Sequence, residues 1–232
     1  LLGLGAIPAT HPLSLGMMGM HGEAWVNQAI QEADLLLAFG MRFDDRVTGK
    51  LKAYAPGSKK IHIDIDASEL NKVVPVDLPI GGDLREVLKA LLPGVQVADR
   101  SAWLERIRGW KGDSAVRDIQ NLPDDGHLYA AHVMHDLWRL TEGRAVVVTD
   151  VGQHQMWEAQ YYHHDEERSL ITSGGAGTMG FALPAAIGAK LACPDAEVWV
   201  VAGDGGFQMT QAELITAVQE HVKINVAIVN NG

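Results

Sequence analysis

At 232 residues, with 47% apolar and 21% charged side chains, the chain has the make-up of a folded globular protein rather than a disordered one. Its formal charge of −10, with no compensating basic block, excludes broad binding to nucleic acid or anionic membranes, and no apolar run reaches the about 18 residues that a membrane span needs. One cysteine, Cys193, excludes an internal disulfide and fits a reducing compartment.

The chain opens "LLGLGAIP" without an initiator methionine and stops at "NNG" directly after a strand, so both ends read as cut and a missing targeting signal carries no weight. "HGEAWVNQAIQEA" reads as a helix that leads into the buried-type strand "DLLLAFG" (34–40). "KKIHIDID" (59–66) follows, then a short strand within "VDLPIGG" (76–82) and a helix over 83–92 with Asp83 as its cap. Residues 99–126 are charged and end in "PDDG", which reads as a surface helix and then a linker. Beyond it, "HLYAAHVMHDLWRL" carries apolar side chains at 130, 133, 134, 137 and 138, one stripe of a helix. Strands are expected at 145–150, 169–173, 197–203 and 224–230, with helices over 178–192 and 207–220 between them. Alternation of strands and helices predicts an α/β fold: two doubly wound, mostly parallel sheets covered on both faces, at 1–98 and 127–232, joined by the connector.

"GAGTMG", Gly175 to Gly180, is a literal G-x-G-x-x-G after a strand, and Asp204 lies 24 residues past its last glycine. That spacing is close to the dinucleotide fingerprint of a nicotinamide dehydrogenase. Two features count against it. A ribose-binding acid ends its strand facing a sugar, whereas Asp204 is followed by Gly205 and Gly206, which free backbone N–H groups to approach an anion. Met179 also fills a position where the fingerprint wants close helix–sheet contact. Plain tight turns are the bland alternative. A carboxylate beside phosphate-cradling amides is unfavourable unless a cation lies between them, so Asp204 reads as a ligand for a hard divalent ion that bridges to a diphosphate. Asn230 and Asn231 end the next strand, Asn231 lying 27 positions after Asp204. A one-helix crossover brings both loops to the same sheet edge. Each signal is weak alone; together they are specific.

"GDG" followed at this interval by "NN" resembles the diphosphate–magnesium motif of thiamine-diphosphate enzymes. "GMMGMHG" (16–22), "MRFDDRVTG" (41–49), "TDVGQHQMW" (149–157) and "TSGGAGTMGFALPAAIGA" (172–189) narrow the resemblance to the catalytic subunit of the acetohydroxyacid synthase (acetolactate synthase) family, over nearly the whole chain. The resemblance implies a subunit of three α/β domains. This chain would hold most of the central FAD-binding domain (1–98), the connector (99–126) and the first part of the diphosphate-binding domain (127–232).

It also implies roles for single residues. Asp204 and Asn231 would bind Mg2+, completed by a carbonyl just past Gly232, and Gly205 and Gly206 would offer amides to the diphosphate. The Gly177 carbonyl would accept from the cofactor's amino group, and Met179 would wedge thiamine diphosphate into a bend that brings this group against the reacting carbon, a proximity gain that an adaptable thioether suits. Val151, Gly152, Gln153 and His154 would line the diphosphate, although His154 taken alone reads as a core or capping histidine. FAD would be contacted by residues between His21 and Arg42, Gly40 among them, by Asp44, by Asp64 (which could equally cap a helix), and by Gly82 and Asp83. Arg46 would meet a substrate carboxylate in a partner subunit's active site; an ion pair with Asp44 or Asp45 is its competing reading.

The implied reaction decarboxylates pyruvate and transfers the two-carbon unit to a second 2-oxo acid, pyruvate or 2-oxobutyrate, in branched-chain amino acid biosynthesis. It implies a homodimer or tetramer, room for a regulatory small subunit, and a bacterial-type cytoplasmic enzyme, an organellar location staying open because the amino terminus is missing. The catalytic glutamate of the family lies in an amino-terminal domain outside this chain, so the 232 residues alone are expected to be inactive. Another thiamine-diphosphate carboligase or oxidase is the near alternative, and a non-catalytic nucleotide-binding module the distant one.

Overall fold

The computed structural model describes residues 1–112 and 126–231. The chain divides into two compact units, one of Met18–Ser114 and one that joins Leu1–Met17 to Ala115–Gly232.

The first unit runs α1 (Ala24–Glu32), β1 (Leu35–Phe39), α2 (Asp45–Thr48), β2 (Lys59–Asp64), β3 (Leu78–Gly81), α3 (Leu84–Leu91) and α4 (Ser101–Gly112). Its strands form a parallel sheet in the order β1-β2-β3, with Ala38 opposite His62 and Ile63 opposite Ile80. The pleat sends Leu36 and Ala38 into a core with Ile30, Phe43, Tyr54 and Val74, while Leu35, Leu37 and Phe39 on the other face stay exposed. Helix α1 starts three residues later than the sequence pattern suggested. Gly19–His21 forms a separate 3-10 turn, held by the Asn27 side chain, which accepts from the Gly19 N–H at 2.6 Å and donates to its carbonyl at 3.0 Å. Helix α4 supplies the surface helix expected within 99–126 and ion-pairs through Arg106 with Glu32 of α1. The linker that was expected to follow falls at 113–125, outside the described residues, and of "PDDG" only Gly126 is described.

The second unit runs α5 (Ala130–Thr141), β4 (Val146–Thr149), α6 (Gln153–Tyr161), β5 (Leu170–Thr172), α7 (Ala182–Ala192), β6 (Val198–Gly203), α8 (Asp204–Thr210), α9 (Leu214–Gln219) and β7 (Asn225–Val229). All strands are parallel in the order β5-β4-β6-β7. Val147 and Val201 face Met134, Leu137 and Tyr161 of α5 and α6, whereas Val148, Val198, Val200 and Ala202 face Ala182 and Ala186 of α7. Both faces are covered, as the unbroken apolar runs of these strands demanded. Leu1–Met17 packs on the same unit: the Ala9 N–H donates to the His164 carbonyl at 3.0 Å and Thr10 donates twice to Asp165.

Three expectations are corrected here. Helix 207–220 starts at Asp204 and is interrupted by a 3-10 turn at Gln211–Glu213 before α9. Helix 178–192 starts at Ala182, so Thr178 to Phe181 belong to the preceding loop and cap. The stretch after Gly152, for which the sequence pattern predicts no helix, is helix α6.

Candidate active site

From β4 the chain crosses to β5 on one side and returns to β6 on the other, so the β4–β6 gap is the point where strand order reverses. Crevices outside the carboxyl ends of parallel strands form at such points. The segments leaving β4, β6 and β7 carry Asp150–Gln153, Asp204–Gly206 and Asn230–Asn231. Because Gly203 pairs with Val229, Asp204 and Asn231 leave neighbouring strands at the same sheet edge, as the spacing predicted. Both are exposed. The Asn231 amide donates to the Gln153 Oε1 at 2.5 Å, which leaves its own Oδ1 as a donor atom for a cation.

Gly205 and Gly206 fall in the first turn of α8, where backbone N–H groups have no partner earlier in the helix. A Cβ on Gly205 would lie 3.6 Å from the Met179 Cε, so the thioether reaches this turn from the loop after β5. Met179 is 44% exposed, unlike a core methionine. Gly177 is exposed at φ +65°, a left-handed conformation that turns the chain ahead of Met179, and its N–H donates to the Ser173 carbonyl at 3.1 Å. The helix after this loop begins only at Ala182, so Gly175-x-Gly177-x-x-Gly180 does not open a helix as a dinucleotide fingerprint does.

Two glycines cradle His154. A Cβ on Gly152 or Gly203 would come within 2.8 or 3.1 Å of its ring. The imidazole is buried, and its Nε2 has no hydrogen-bond partner among the described residues. Burial pushes it below the ordinary histidine value, against the opposing pull of Asp150 and, more weakly, Asp204. Glycine amides in the first turn of α8, with a carboxylate and an amide oxygen on adjacent strand ends, fit an anionic group bridged by a hard cation. Among the described residues no group of three or more His, Cys, Asp and Glu is gathered for a metal.

Sequence reasoning missed two polar clusters here. Asp150 is 1% exposed, and both its oxygens accept from the Gly180 N–H at 2.9 Å. Deeper in the unit, the His164 ring contacts Glu158 Oε1 at 2.6 Å and Ser169 Oγ at 2.7 Å. These are the residue types of a nucleophilic triad, but Ser169 donates to the Glu166 carbonyl at 2.8 Å and all three are buried, so the chain of bonds ties α6 to β5 rather than meeting a substrate. In the sequence that cluster shows only as a Glu and a His 6 positions apart, a spacing that does not by itself announce contact.

In the first unit Gly40, Asp64 and Gly82–Asp83 stand at the carboxyl ends of β1, β2 and β3, side by side in the sheet. Asp64 is buried and accepts from the Asp66 N–H at 2.8 Å; Asp66, not Asp64, caps the 3-10 turn that follows. Asp83 caps α3. Asp44 caps α2 through the Arg46 N–H and pairs with Arg42 at 3.4 Å, and the Arg46 side chain is exposed. His21 is buried in its 3-10 turn.

A family model for the thiamine pyrophosphate enzyme central domain matches residues 1–91, and one for the C-terminal TPP binding domain of the same enzymes matches 150–232. An acetolactate synthase of Mycobacterium bovis is 45% identical, covering 100% of this chain and 38% of its own length. The acetolactate synthase isozyme 3 large subunit of Escherichia coli is 46% identical, over 100% of this chain and 41% of its own. The acetolactate synthase large subunit of Lactococcus lactis is also 46% identical, over 100% and 40%. The chain thus spans about two fifths of the length of the curated relatives it matches.

Proposed function

We propose, for a chain that belongs to the thiamine pyrophosphate enzymes and is homologous to acetolactate synthase large subunits, that it forms the central and cofactor-binding parts of an acetolactate synthase. The parent enzyme joins two 2-oxo acids with loss of CO2, pyruvate being the donor and pyruvate or 2-oxobutyrate the acceptor. The observation that carries this reading is the placement of Asp204 and Asn231 just past the paired ends of adjacent parallel strands, beside Gly205, Gly206 and Met179.

Bound there, thiamine diphosphate supplies an electron sink for decarboxylation. Asp204 and the Asn231 oxygen would hold Mg2+, and the Gly205 and Gly206 amides would face the diphosphate, with Val151, Gly152, Gln153 and His154 lining it. Gly177 offers its carbonyl to the aminopyrimidine, and Met179 shapes the cofactor from the same loop. Arg46, an exposed planar cation, holds a substrate carboxylate in a partner subunit. In the first unit His21, Gly40, Arg42, Asp44, Asp64, Gly82 and Asp83 are the candidates for FAD; open space beside Gly40 and the run of strand ends favour a nucleotide there.

The domain limits 1–98, 99–126 and 127–232 remain part of this proposal, as do a homodimer or tetramer, a cytoplasmic location and a small regulatory subunit. The last extends the large-subunit naming of the Escherichia coli relative. No helix among the described residues is long and apolar enough to cross a membrane.

Isothermal titration of the full-length protein with thiamine diphosphate, with and without Mg2+, tests the reading. Tight binding only with the metal, yellow co-purified flavin and acetolactate from pyruvate are the expected results. Equal binding without the metal, or in Asp204→Ala and Asn231→Ala variants, overturns it.

A further inference from the structure

We propose that Asp150 is a positioning residue for the cofactor: a buried carboxylate that fixes the Gly177–Gly180 loop against the two other loops of the site. The inference rests on the thiamine-diphosphate reading above and assigns a role to a residue that has none in it.

Asp150 follows β4 directly, at the strand-order reversal, with its own N–H donating to the Val201 carbonyl of β6 at 2.9 Å. Its Oδ1 accepts from Val151 at 2.8 Å and from Gly180 at 2.9 Å, and its Oδ2 accepts from Gly180 at 2.9 Å. The carboxylate therefore spends its charge on main-chain N–H groups of two loops. An anion buried at a diphosphate site would otherwise repel the ligand. It also fills the space under the third loop: a Cβ on Gly206 would lie 2.5 Å from its Oδ2. Only glycine lets α8 come down onto this oxygen, so Gly206 has a packing reason independent of any amide it offers to phosphate.

Gly180 is pinned from both sides. Its N–H enters Asp150, and its carbonyl accepts from the Thr210 hydroxyl at 3.0 Å, with φ at +82°. Met179 is the residue before it and Gly177 stands three before it. A loop whose downstream peptide is fixed by a β4 carboxylate and an α8 hydroxyl can hold both side chain and carbonyl in one place before any ligand arrives, which is preorganisation. His154 belongs to the same knot, since its ring packs against Gly152, two residues after Asp150, and Gly203, at the end of β6.

Asp150→Asn tests this in the full-length protein. The amide keeps the shape but turns one of the two oxygens facing the Gly180 N–H into a second donor. Expected are at least a tenfold weaker thiamine-diphosphate titration at saturating Mg2+, faster hydrogen exchange at 174–181 in the cofactor-free protein, and unchanged flavin content. Thr210→Val removes the other clamp and should move both readouts the same way by a smaller factor. It carries the test if the Asn variant does not fold. Parental affinity together with parental exchange in either folded variant overturns the positioning role. Failure of the parent itself to bind thiamine diphosphate sinks the function reading and this inference with it, whereas a binding parent with indifferent variants sinks this inference alone.

Discussion

In the sheet β1-β2-β3, Leu35, Leu37 and Phe39 leave 45%, 40% and 43% of their surface exposed, whereas Val200, Val201 and Ala202 of β6 leave no more than 1%. Both strands are unbroken apolar runs, so a run of this kind marks a strand built for cover on both faces without saying how much of it lies within reach. The polar residues at the strand ends differ in a parallel way. In the first unit Asp44, Asp64 and Asp83 each accept from a backbone N–H only 2 residues away. In the second, Thr149 bonds to Thr172 across 23 residues, Asp150 to Gly180 across 30 and Asn231 to Gln153 across 78. Local caps orient one side chain at a time. Long-range bonds lock several loops into one geometry, which is what a multi-point cofactor site requires.

The largest effect should come from breaking the second unit's buried polar chain. Glu158→Ala leaves the His164 ring without its carboxylate and should cost about 3–5 kcal/mol in chemical unfolding. At the site, Asp204→Ala or Asn231→Ala should weaken magnesium-dependent thiamine-diphosphate binding by at least about 100-fold, close to 2.7 kcal/mol, with flavin content unchanged. Core truncation sharpens the contrast between the sheets: Val200→Ala should cost about 2 kcal/mol and Leu37→Ala about half that, both read from denaturant midpoints. Equal costs would mean that the exposed face of the first sheet is covered in the full protein. Asp83→Ala removes one local cap and should cost about 1 kcal/mol.

The last effect is silent at neutral pH. Burial pushes the Tyr54 phenol up to about 12 from its ordinary 10.0. The folded state keeps that proton while the unfolded state loses it, so this contribution is intact below pH 10 and is lost as pH rises toward 12. Tyr54→Phe should flatten the alkaline limb of a stability–pH curve and leave the neutral value nearly unchanged.

Strands were legible as short apolar runs bounded by turn signals, and the placement of Asp204 and Asn231 at adjacent strand ends followed from one crossover and parallel topology. Helix α6 was not, since three of its five buried residues, His154, Gln155 and Glu158, are polar and apolar periodicity cannot register them beside Ala159 and Tyr161. Their partners, such as Thr172 for Gln155 at 2.7 Å, come from elsewhere in the chain. The early start of α8 was hidden by its two glycines, which local propensity assigns to a turn and which here pack close to Met179 and Asp150 within the helix. Asp150 itself looked like the last residue of a strand. Nothing nearby in sequence announces that its partner waits beyond another strand at Gly180.

The ladder between β6 and β7 acts as a ruler. Because Gly203 is matched to Val229, two further main-chain steps fix where Asn231 stands relative to Asp204, whatever apolar side chains the strands carry. Substitutions within the strands can therefore accumulate without altering the gap between the two donors. Inserting a single residue after Val229 would push the amide along by about 3.3 Å and turn it to the opposite side of the sheet. Drift in composition is tolerated at this edge; drift in length is not.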